Sequence, residues 1–357
     1  MQTDPRPLLL YVLHSGQMFG TERMALATLQ ALPGNRQQLL LAPPGPAVAE
    51  ALRLGIPAEV FSGTAALARR MAALFLRHRS VTLIATGVSQ SLIAILCASL
   101  TRSQLRHLHI VHGGTDERLS YGRKRLLAPF AVDFVAVSQF VRQRLIAHRV
   151  PAARIQVIEN FLPEGGEWPR REMPQQDIQR LAVVSRLDPI KRIDVLLGAL
   201  ESDPALSGLT VDIFGTGGEG PGLQARAAAA NLAVNFRGFS TDVPGALAMA
   251  DALVHTCPEE PFGLAVLEAM RAGIPVLVPD TGGPATFIQH GVNGLRYRSG
   301  DSRDLARQLH ALRAMRPERR RDLTETAQDT LRTRFARQAR IADYQTLLAS
   351  PFSGVSA

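Results

Sequence analysis

Short apolar runs alternate with helix-period segments along most of the chain, and this alternation restricts the possible folds more than any other feature. The apolar runs are continuous, which is typical of strands in a parallel sheet that is covered on both faces. In the first half, strands are predicted near Leu8–Leu13, Gln38–Ala42, Ala58–Phe61, Val81–Ala85, His107–Val111, Val132–Val137 and Arg154–Ile158. Helices are predicted near Thr21–Leu32, Ala65–Arg77, Ser89–Leu100, Leu119–Phe130 and Gln139–His148. Regular β–α alternation at this spacing predicts a doubly wound α/β domain.

A second domain is indicated because the alternation stops at one segment and then restarts. Residues Leu162 to Asp177 are rich in Pro, Gly and charge and have no periodicity, which is typical of a linker. After it, strands are predicted near Leu181–Ser185, Thr210–Phe214, Val234–Phe236, Ala252–Thr256 and Pro275–Pro279. Helices are predicted near Arg192–Leu200, Pro221–Ala230, Val243–Met249, Gly263–Arg271 and Ser302–Met315, with two more between Pro317 and Leu348. Ligands of doubly wound sheets bind beyond the carboxyl ends of the strands, so the expected site is a cleft between two facing domains.

Composition and charge exclude several classes of protein. The 357 residues are 46% hydrophobic and 20% charged, an ordinary globular composition, and with only 2 cysteines a disulfide framework is excluded. The net charge is +9, but most of the excess lies between Arg296 and Arg340, in a segment predicted to be helical. Aromatic residues make up 5% of the chain, too few for a base-stacking platform, so no nucleic-acid partner is expected.

The N-terminal residues do not have the pattern of a secretory signal, because an acid and two prolines precede a short apolar run. The longest apolar stretch, Leu92 to Leu100, is about half of the roughly 18 residues that a membrane span requires. We therefore expect a cytoplasmic location.

The segment from Cys257 to Leu295 contains two glutamates at a strand-to-helix junction. Glu268 follows Glu260 by eight residues, and on a helix the two side chains would lie on one side, about 12 Å apart along the axis. Such a pair can contact one ligand at two ends, while the amides of Phe262–Leu264 favour a phosphate or sugar oxygen. The same pattern is also typical of a helix whose first-turn acid complements the helix dipole and whose Glu268 pairs with an arginine.

Two cations follow the first strand predicted after the linker. Arg186 and Lys191 are five residues apart in a Pro-containing turn that leads into a helix. The 40 basic residues include only two lysines, Lys124 and Lys191, so a compact ammonium here stands out among arginines. The pair suits a diphosphate, with the arginine as a fork and the lysine as a point charge. Two solvated surface cations would have the same sequence.

Glycine-rich loops follow two other predicted strands. The Gly215-x-Gly217-x-x-Gly220 loop matches part of the dinucleotide fingerprint, which keeps a nicotinamide-dependent oxidoreductase open. The next strand carries Arg237 where that fingerprint requires an acid, although an arginine there suits a 2′-phosphate. Near the N-terminus, a loop that ends at Gly20 allows a ligand to approach the backbone, and a plain tight βα connection would look alike.

His112 is the best placed of the 9 histidines, because it lies at the carboxyl end of a predicted strand, before two glycines. A histidine there can donate a hydrogen bond to a sugar hydroxyl or share charge in a transition state. His107, His109 and His255 fall within predicted strands, and we interpret them as satisfied structural groups. The sequence has no Asp-x-Asp pair that would chelate a metal-diphosphate, so no metal site is expected.

Together these motifs resemble the retaining glycosyltransferases of family four (glycosyl transferases group one), which have the GT-B fold. The resemblance covers nearly the whole chain. The motifs that carry it occur in family order: Ser185-Arg186-Leu187, Lys191, the Phe214-Gly215 loop, Phe236-Arg237-Gly238, Glu260 to Glu268, and Asp280-Thr281-Gly282-Gly283. Two positions depart from the family pattern: Thr286 replaces an acidic residue, and Phe19 stands where many members have a second adjacent glycine.

The resemblance implies an α/β architecture of two doubly wound, Rossmann-like domains that face each other across a cleft. Residues 1–163 would form the acceptor domain, 164–178 a linker and 179–334 the donor domain, with a helix at 335–350 that crosses back to the N-terminal domain. The implied activity is a retaining, metal-independent transfer of a sugar from a nucleotide-diphosphate sugar to a glycan or lipid-linked acceptor, in polysaccharide or glycolipid biosynthesis. No cofactor is implied.

The resemblance also assigns roles to residues. Arg186 and Lys191 would hold the donor diphosphate, Glu260 would meet the donor sugar, and His112 would be the histidine of the catalytic cleft. The remaining donor contacts would be Gly20, Gly215, Gly238, Phe239, Phe262, Gly263, Leu264 and Glu268. Of these, Glu268 would bind the ribose hydroxyls, and Gly238 and Phe239 would line the base pocket.

Other interpretations stay open at this point: a nucleotide-sugar epimerase of the same fold, the nicotinamide-dependent oxidoreductase, or a non-catalytic binding protein. A further possible partner is an anionic membrane. The predicted helix Leu119–Phe130 and the residue before it combine basic with apolar side chains: Arg118, Arg123, Lys124, Arg125, Leu126, Leu127 and Phe130. This pattern is typical of an amphipathic helix packed on its own sheet, and it also suits peripheral membrane contact.

Overall fold

The computed structural model of the chain describes residues 7–114, 117–163, 178–240 and 242–349. By their internal contacts the residues form two compact units, Met1–Glu164 with Arg337–Ala357, and Gly165–Ala336. We refer to them as the N-terminal unit and the C-terminal unit. Each is an α/β unit with one parallel sheet.

The N-terminal unit contains a seven-stranded sheet in the order β3-β2-β1-β4-β5-β6-β7. Its strands are β1 Leu8–Val12, β2 Gln37–Ala42, β3 Ala58–Val60, β4 Ser80–Ala85, β5 Gln104–Val111, β6 Asp133–Ala136 and β7 Ile155–Val157. Its helices are α1 Gly20–Ala31, α2 Pro46–Arg53, α3 Thr64–Arg77, α4 Val88–Thr101, α5 Glu117–Ser120 and α6 Gln139–Ala147. Strand order reverses between β1 and β4, which is the switch point where doubly wound sheets bind ligands.

The C-terminal unit repeats this plan with a six-stranded sheet in the order β10-β9-β8-β11-β12-β13. Its strands are β8 Arg180–Val184, β9 Thr210–Phe214, β10 Val234–Gly238, β11 Ala252–Val254, β12 Val276–Pro279 and β13 Leu295–Tyr297. Its helices are α7 Ile193–Ser202, α8 Gly220–Ala229, α9 Val243–Ala248, α10 Leu264–Ala272, α11 Ser302–Arg313 and α12 Pro317–Arg334. The switch point of this sheet lies between β8 and β11.

Continuous apolar strands explain both sheets. In β1 every residue of Leu8–Val12 is buried, and β4 is buried from Val81 to Ala85, so the sheet is covered by helices on both faces. All strand pairs of the two sheets are parallel, which places the carboxyl ends of neighbouring strands at one edge. Each unit has its own apolar core.

The last helix, α13 Arg337–Ala349, belongs to the N-terminal unit. Arg106 donates a hydrogen bond of 2.9 Å to the carbonyl oxygen of Leu347 and also pairs with Asp133 on the neighbouring strand. Arg36 bridges the Thr82 hydroxyl and the carbonyl oxygen of Leu348. Side-chain donors from β5 and from the loop before β2 thus satisfy carbonyl groups at the end of this helix.

Three features of the fold differ from the sequence prediction. The helix predicted at Leu119–Phe130 is wrong: α5 ends at Ser120 and a 3₁₀ turn follows at Gly122–Leu127, since glycine is a poor helix former. Helix α2 was missed because its segment is rich in Pro and Gly, although Pro46 at its first position favours a helix start. The three-residue strand β13 was also missed. The predicted linker lies outside the described residues except Ile178, which is buried in the C-terminal core.

The loop after β1 depends on a close approach of two chain segments. A Cβ atom at Gly16 would overlap the carbonyl oxygens of Pro43 and Pro44, whereas nothing lies within 4 Å of a Cβ at Gly34. We predict that Gly16→Ala lowers the free energy of unfolding by about 2 kcal/mol, because backbone must move to admit the methyl group. Gly34→Ala should leave it unchanged within about 0.5 kcal/mol. Urea denaturation of both variants is the measurement, and equal stability of the two would contradict the close packing of this loop.

Candidate active site

The carboxyl-terminal edge of the C-terminal sheet collects most of the residues that the sequence motifs selected. Ser185, Arg186 and Lys191 follow β8, the strand next to β11 at the switch point. Glu260 lies in the turn that joins β11 to α10. Because adjacent parallel strands end at one edge, two segments that are far apart in sequence meet here.

A buried ion pair joins these two segments. Lys191 Nζ donates to Glu260 Oε2 over 2.7 Å, and the side chain of each residue is 16% exposed. The Thr256 hydroxyl donates to the carbonyl oxygen of Lys191 over 2.6 Å, which fixes the 3₁₀ turn Pro189–Lys191 against the end of β11. The ammonium group is therefore held at the switch point and does not project into bulk water.

Both members of the pair stay charged. Burial by itself would lower the pKa of Lys191, but the Glu260 carboxylate and the nearby Cys257 outweigh it and the pKa is raised from 10.5. Burial likewise would raise the pKa of Glu260, but the charge and hydrogen bond of Lys191, with a smaller effect of Arg186, hold it below 4.5. Each buried charge stabilises the ionised form of the other, and this offsets the cost of removing both from water.

His255 lies at the candidate site, which the sequence prediction did not expect. It was placed inside a strand and interpreted as a satisfied structural group, but β11 ends at Val254 and the ring of His255 lies against the ion pair. Its Nε2 is 3.6 Å from Glu260 Oε2 and has no hydrogen-bond partner among the described residues. Burial, only partly offset by Glu260, lowers its pKa to about 4, so the imidazole is neutral at pH 7. The sequence signal that could have identified His255 is its position directly after a strand.

Arg186 lies beside the ion pair and is more open to solvent. Its guanidinium pairs with Asp188 over 2.8 Å, its side chain is 44% exposed, and its charge acts on the pKa of both Lys191 and Glu260. The structure therefore brings the two predicted diphosphate cations together at one edge. Asp188 and Glu260 balance their charges.

The N-terminus of α10 forms the other side of the Glu260 turn. Gly263 takes a positive φ of 95° at the helix start, a conformation that glycine adopts without strain. Phe262 is buried against Phe287 and Phe335, with ring centroids 5.8 and 5.6 Å away, so the turn has an apolar anchor. Leu264 opens the first turn of α10, whose amides have no acceptor within the helix and can receive an anionic oxygen.

Glu268 does not have the geometry that helical spacing from Glu260 predicts. Helix α10 begins only at Leu264, so the residues between Glu260 and Gly263 form a turn and the estimate of about 12 Å from helical rise does not apply. Glu268 itself is buried, at 2% exposure, in the middle of the helix.

The glycine loops after β9 and β10 lie next to the Arg186 loop. A Cβ atom at Gly215 would overlap the carbonyl oxygen of Ser185, and the Gly215 amide donates to the carbonyl oxygen of Gly238 over 2.8 Å. Phe239, which follows Gly238, is 61% exposed at this edge. Arg237 pairs with Asp212 over 2.8 Å, so its guanidinium is already engaged and is not available to a 2′-phosphate.

The remaining predicted residues, Gly20 and His112, lie in the N-terminal unit. Gly20 begins α1 after β1, and His112 follows β5 directly. Burial, with a smaller effect of His14, lowers the pKa of His112 to about 3, so its ring is neutral. Among the described residues, no group of three or more His, Cys, Asp or Glu side chains is arranged to hold a metal ion.

Two parallel-sheet α/β units, with the candidate site at the carboxyl-terminal edge of the second sheet, define the class of protein. The fold is of the GT-B type. Family models match almost the whole chain, the Glycosyltransferase Family 4 model over residues 20–164 and the Glycosyl transferases group 1 model over residues 167–330. The chain belongs to this glycosyltransferase family.

Curated relatives agree with this assignment over part of their length. The chain is 33% identical over 153 residues to a lipopolysaccharide core biosynthesis glycosyltransferase of Rhizobium meliloti, an alignment that covers 42% of this chain and 45% of the relative. It is 30% identical over 247 residues to a D-inositol 3-phosphate glycosyltransferase of Nocardia farcinica, covering 62% of this chain and 54% of the relative. The chain thus spans about half the length of these relatives.

A solved structure shares the fold across nearly the whole chain. Anabaena Alr3699/HepE, crystallised with UDP and glucose, superposes with a TM-score of 0.82 at 22% identity and covers 96% of this chain and 99% of its own. The epimerase, oxidoreductase and binding-protein alternatives gain no support from these comparisons.

The buried ion pair predicts a specific pattern of stability. We expect Lys191→Met to lower the free energy of unfolding by about 3 kcal/mol, because it leaves the Glu260 carboxylate buried without its cation. Since the pKa of Glu260 is held below 4.5, this advantage of the wild type should be present above pH 4.5 and shrink as the pH falls through the folded pKa. Denaturant unfolding at several pH values measures it.

The matched control is the double variant Lys191→Met/Glu260→Gln. Removing both charges should recover much of the stability that the single change loses, because no unpaired charge stays buried. Additive losses in the double variant would show that the pair is not coupled.

Proposed function

We propose that the chain is a retaining glycosyltransferase that moves a sugar from a nucleotide-diphosphate sugar to a glycan or lipid-linked acceptor without a metal ion. The observation that carries the proposal is the buried Lys191–Glu260 pair at the switch point, with Arg186 beside it. Family membership supports glycosyl transfer. The UDP and glucose of the Anabaena structure support the donor class, and the name of the Rhizobium relative supports a role in polysaccharide or glycolipid biosynthesis.

The cations would stabilise the leaving group. As the bond between sugar and diphosphate breaks, negative charge develops on the phosphate oxygens, and fixed cations stabilise it with little reorganisation. Lys191 Nζ donates one hydrogen to Glu260 and has two more that can reach phosphate oxygens. Arg186 adds a planar fork, and the first amides of α10 add dipoles that favour an anion.

Glu260 would orient the donor sugar and not act as a covalent nucleophile. Its Oε2 is engaged by Lys191, so Oε1 is left to accept a hydrogen bond from a sugar hydroxyl. Attack would then occur on the face of the leaving group, and the leaving phosphate would accept the proton of the acceptor hydroxyl. This course retains the anomeric configuration.

The other site residues would complete donor binding. Gly215, Gly238 and the exposed ring of Phe239 would line the base pocket, and Glu268 would hold the ribose hydroxyls. Gly20, in the N-terminal unit, stays a further candidate for donor contact. His112 is neutral, so we assign it a hydrogen bond to a sugar hydroxyl in the transition state, not a charge interaction.

Nucleotide release from a panel of UDP- and GDP-sugars tests the proposal. We predict that Arg186→Ala, Lys191→Ala and Glu260→Ala each lower the rate by about 100-fold or more, because each removes stabilisation that develops in the transition state. Arg192→Ala is the matched control, since that exposed arginine next to Lys191 pairs with Asp194 and should retain activity. Equal rates for all four variants and the wild type would reject the site.

Two further measurements accompany this assay. Activity should persist in excess EDTA, and NMR of the product should show the anomeric configuration of the donor. Mass spectrometry that finds a glycosyl adduct on Glu260 would overturn its role as an orienting group.

Contact with an anionic membrane is a second part of the proposal. No helix among the described residues is long and apolar enough to cross a membrane. The segment Leu119–Phe130 is not the predicted amphipathic helix, and Lys124 and Leu127 are buried. Its outward side chains are nevertheless a mixture that suits an anionic lipid surface: Leu119, Arg123, Arg125, Leu126 and Phe130.

Flotation with vesicles of anionic lipid tests this surface. We predict salt-sensitive binding that falls by about tenfold or more in Arg123→Glu/Arg125→Glu, because each basic residue near the surface contributes about 1 kcal/mol. Arg316→Glu/Arg321→Glu carries the same charge change at two exposed positions, just before α12 and in its first turns, and should bind like the wild type. Loss of binding in that control instead would locate the contact on the C-terminal helices.

A further inference from the structure

Five basic side chains gather at the switch point of the N-terminal sheet. His14 follows β1, His107 and His109 lie on β5, and His112 follows β5. Lys124 lies in the 3₁₀ turn Gly122–Leu127, which packs against α4. We call these five residues the histidine–lysine cluster. Hydrogen bonds to Thr86 and Ser91 place His14, His107 and His109 around the end of β4 and the start of α4. The effects of Lys124 on the pKa of His14 and His109, and of His14 on that of His112, agree with this arrangement.

The histidines of this cluster are only partly satisfied. His107 and His109 were interpreted as satisfied structural groups, and one nitrogen of each does contact the Ser91 hydroxyl, at 3.0 and 2.9 Å. The other ring nitrogens, His107 Nδ1 and His109 Nε2, are buried without a partner in the described part of the chain, and so is His112 Nε2. His14 bonds Thr86 through Nδ1 at 2.8 Å and is otherwise exposed.

Lys124 is a buried ammonium group without a counter-ion in the described part of the chain. It is 9% exposed, and its one hydrogen bond among those residues is a long one, 3.4 Å, to the carbonyl oxygen of Leu119. Burial, followed by the charge of Arg123, lowers its pKa to about 8. Lys191, the other lysine of the chain, does have a counter-ion, because its ammonium group pairs with Glu260.

We propose that the histidine–lysine cluster binds an anionic group of the acceptor, a phosphate or a carboxylate. The inference rests on the proposed function, since it names the acceptor class for the N-terminal unit. An anion would supply the charge that Lys124 lacks and accept hydrogen bonds from His14 and from His109, whose Nε2 has no partner among the described residues. The position agrees, because loops after β1 and β4 flank the switch point where such sheets bind ligands.

Two local features favour an anion over a cation. The N-terminus of α4, a helix of 14 residues, begins next to His14, since a Cβ atom at Gly87 would lie 2.9 Å from the His14 Cβ. The positive end of that helix and the Lys124 ammonium both repel a metal ion. Neutral histidines can still serve as donors to an anion.

The Ser91 hydroxyl can determine which ring nitrogen of His109 carries the proton. Its hydroxyl lies between His107 Nε2 and His109 Nδ1, so it can donate to one ring and accept from the other. When Ser91 donates to His109 Nδ1, the proton of that ring is on Nε2, which then faces its surroundings as a free donor. A bound anion would select this tautomer without changing the net charge of the protein.

Because the chain contains only two lysines, NMR can follow each ammonium group separately. The 357-residue chain labelled with [6-¹³C]lysine should give two side-chain resonances, which Lys124→Arg assigns. With the donor site saturated by UDP, inorganic phosphate should shift the Lys124 resonance in a saturable manner and raise its pKa from about 8. Succinate in a parallel titration distinguishes carboxylate from phosphate as the preferred group. His14→Gln should weaken the binding of the preferred anion by about tenfold, the loss of one charge-assisted hydrogen bond.

The controls separate this inference from the proposed function. UDP alone should shift the Lys191 resonance and leave Lys124 unchanged, and failure of that shift would count against the donor site only. Arg69→Met, which removes an exposed charge from α3, should bind phosphate like the wild type. The inference is overturned if neither anion moves the Lys124 resonance, or if Arg69→Met weakens binding as much as His14→Gln does.

Discussion

The ion pair between Lys191 and Glu260 is the interaction on which the candidate site depends. It joins the loop after β8 to the loop after β11, so it fixes the two chain segments that border the switch point. Each charge is tolerable only because the other is present, and both pKa values move in the direction that keeps the pair ionised. The same pair leaves hydrogen-bonding capacity on both partners: two ammonium hydrogens and one carboxylate oxygen. The pair is therefore both a structural contact and a candidate binding surface.

The two sheets provide this geometry through a simple rule of packing. Parallel strands that are buried on both faces need helices on both sides, and the connections return each strand end to one edge. In the C-terminal unit that edge receives Arg186, Glu260, the Gly215 loop and Phe239. In the N-terminal unit it receives His14, His112 and Lys124. Each sheet thus concentrates basic and polar groups where its strand order reverses.

Most of the fold was predictable from sequence because the apolar strands are continuous and the helices between them are periodic. The failures have local causes. The Leu119–Phe130 segment has helical periodicity, but Gly122 interrupts it and Lys124 turns inward, an orientation that composition does not reveal. Glu260 and Lys191 were predictable as residue types at strand ends, whereas their pairing was not, since it depends on β8 and β11 being neighbours. His255 was misjudged because the exact end of a strand decides whether a side chain lies in the core or at the edge.

The position of α13 has a consequence for how the chain matures. Tyr344 and Ile341 from this helix are buried in the same unit as β1, which precedes the whole C-terminal unit in the sequence. The N-terminal unit therefore cannot complete its core until residues beyond Arg337 have been synthesised, whereas the C-terminal unit has all of its strands earlier. Folding during translation is therefore asymmetric. The N-terminal unit is synthesised before the C-terminal unit but completes its core after it, and until then its incomplete surface is the one that must be kept from aggregating.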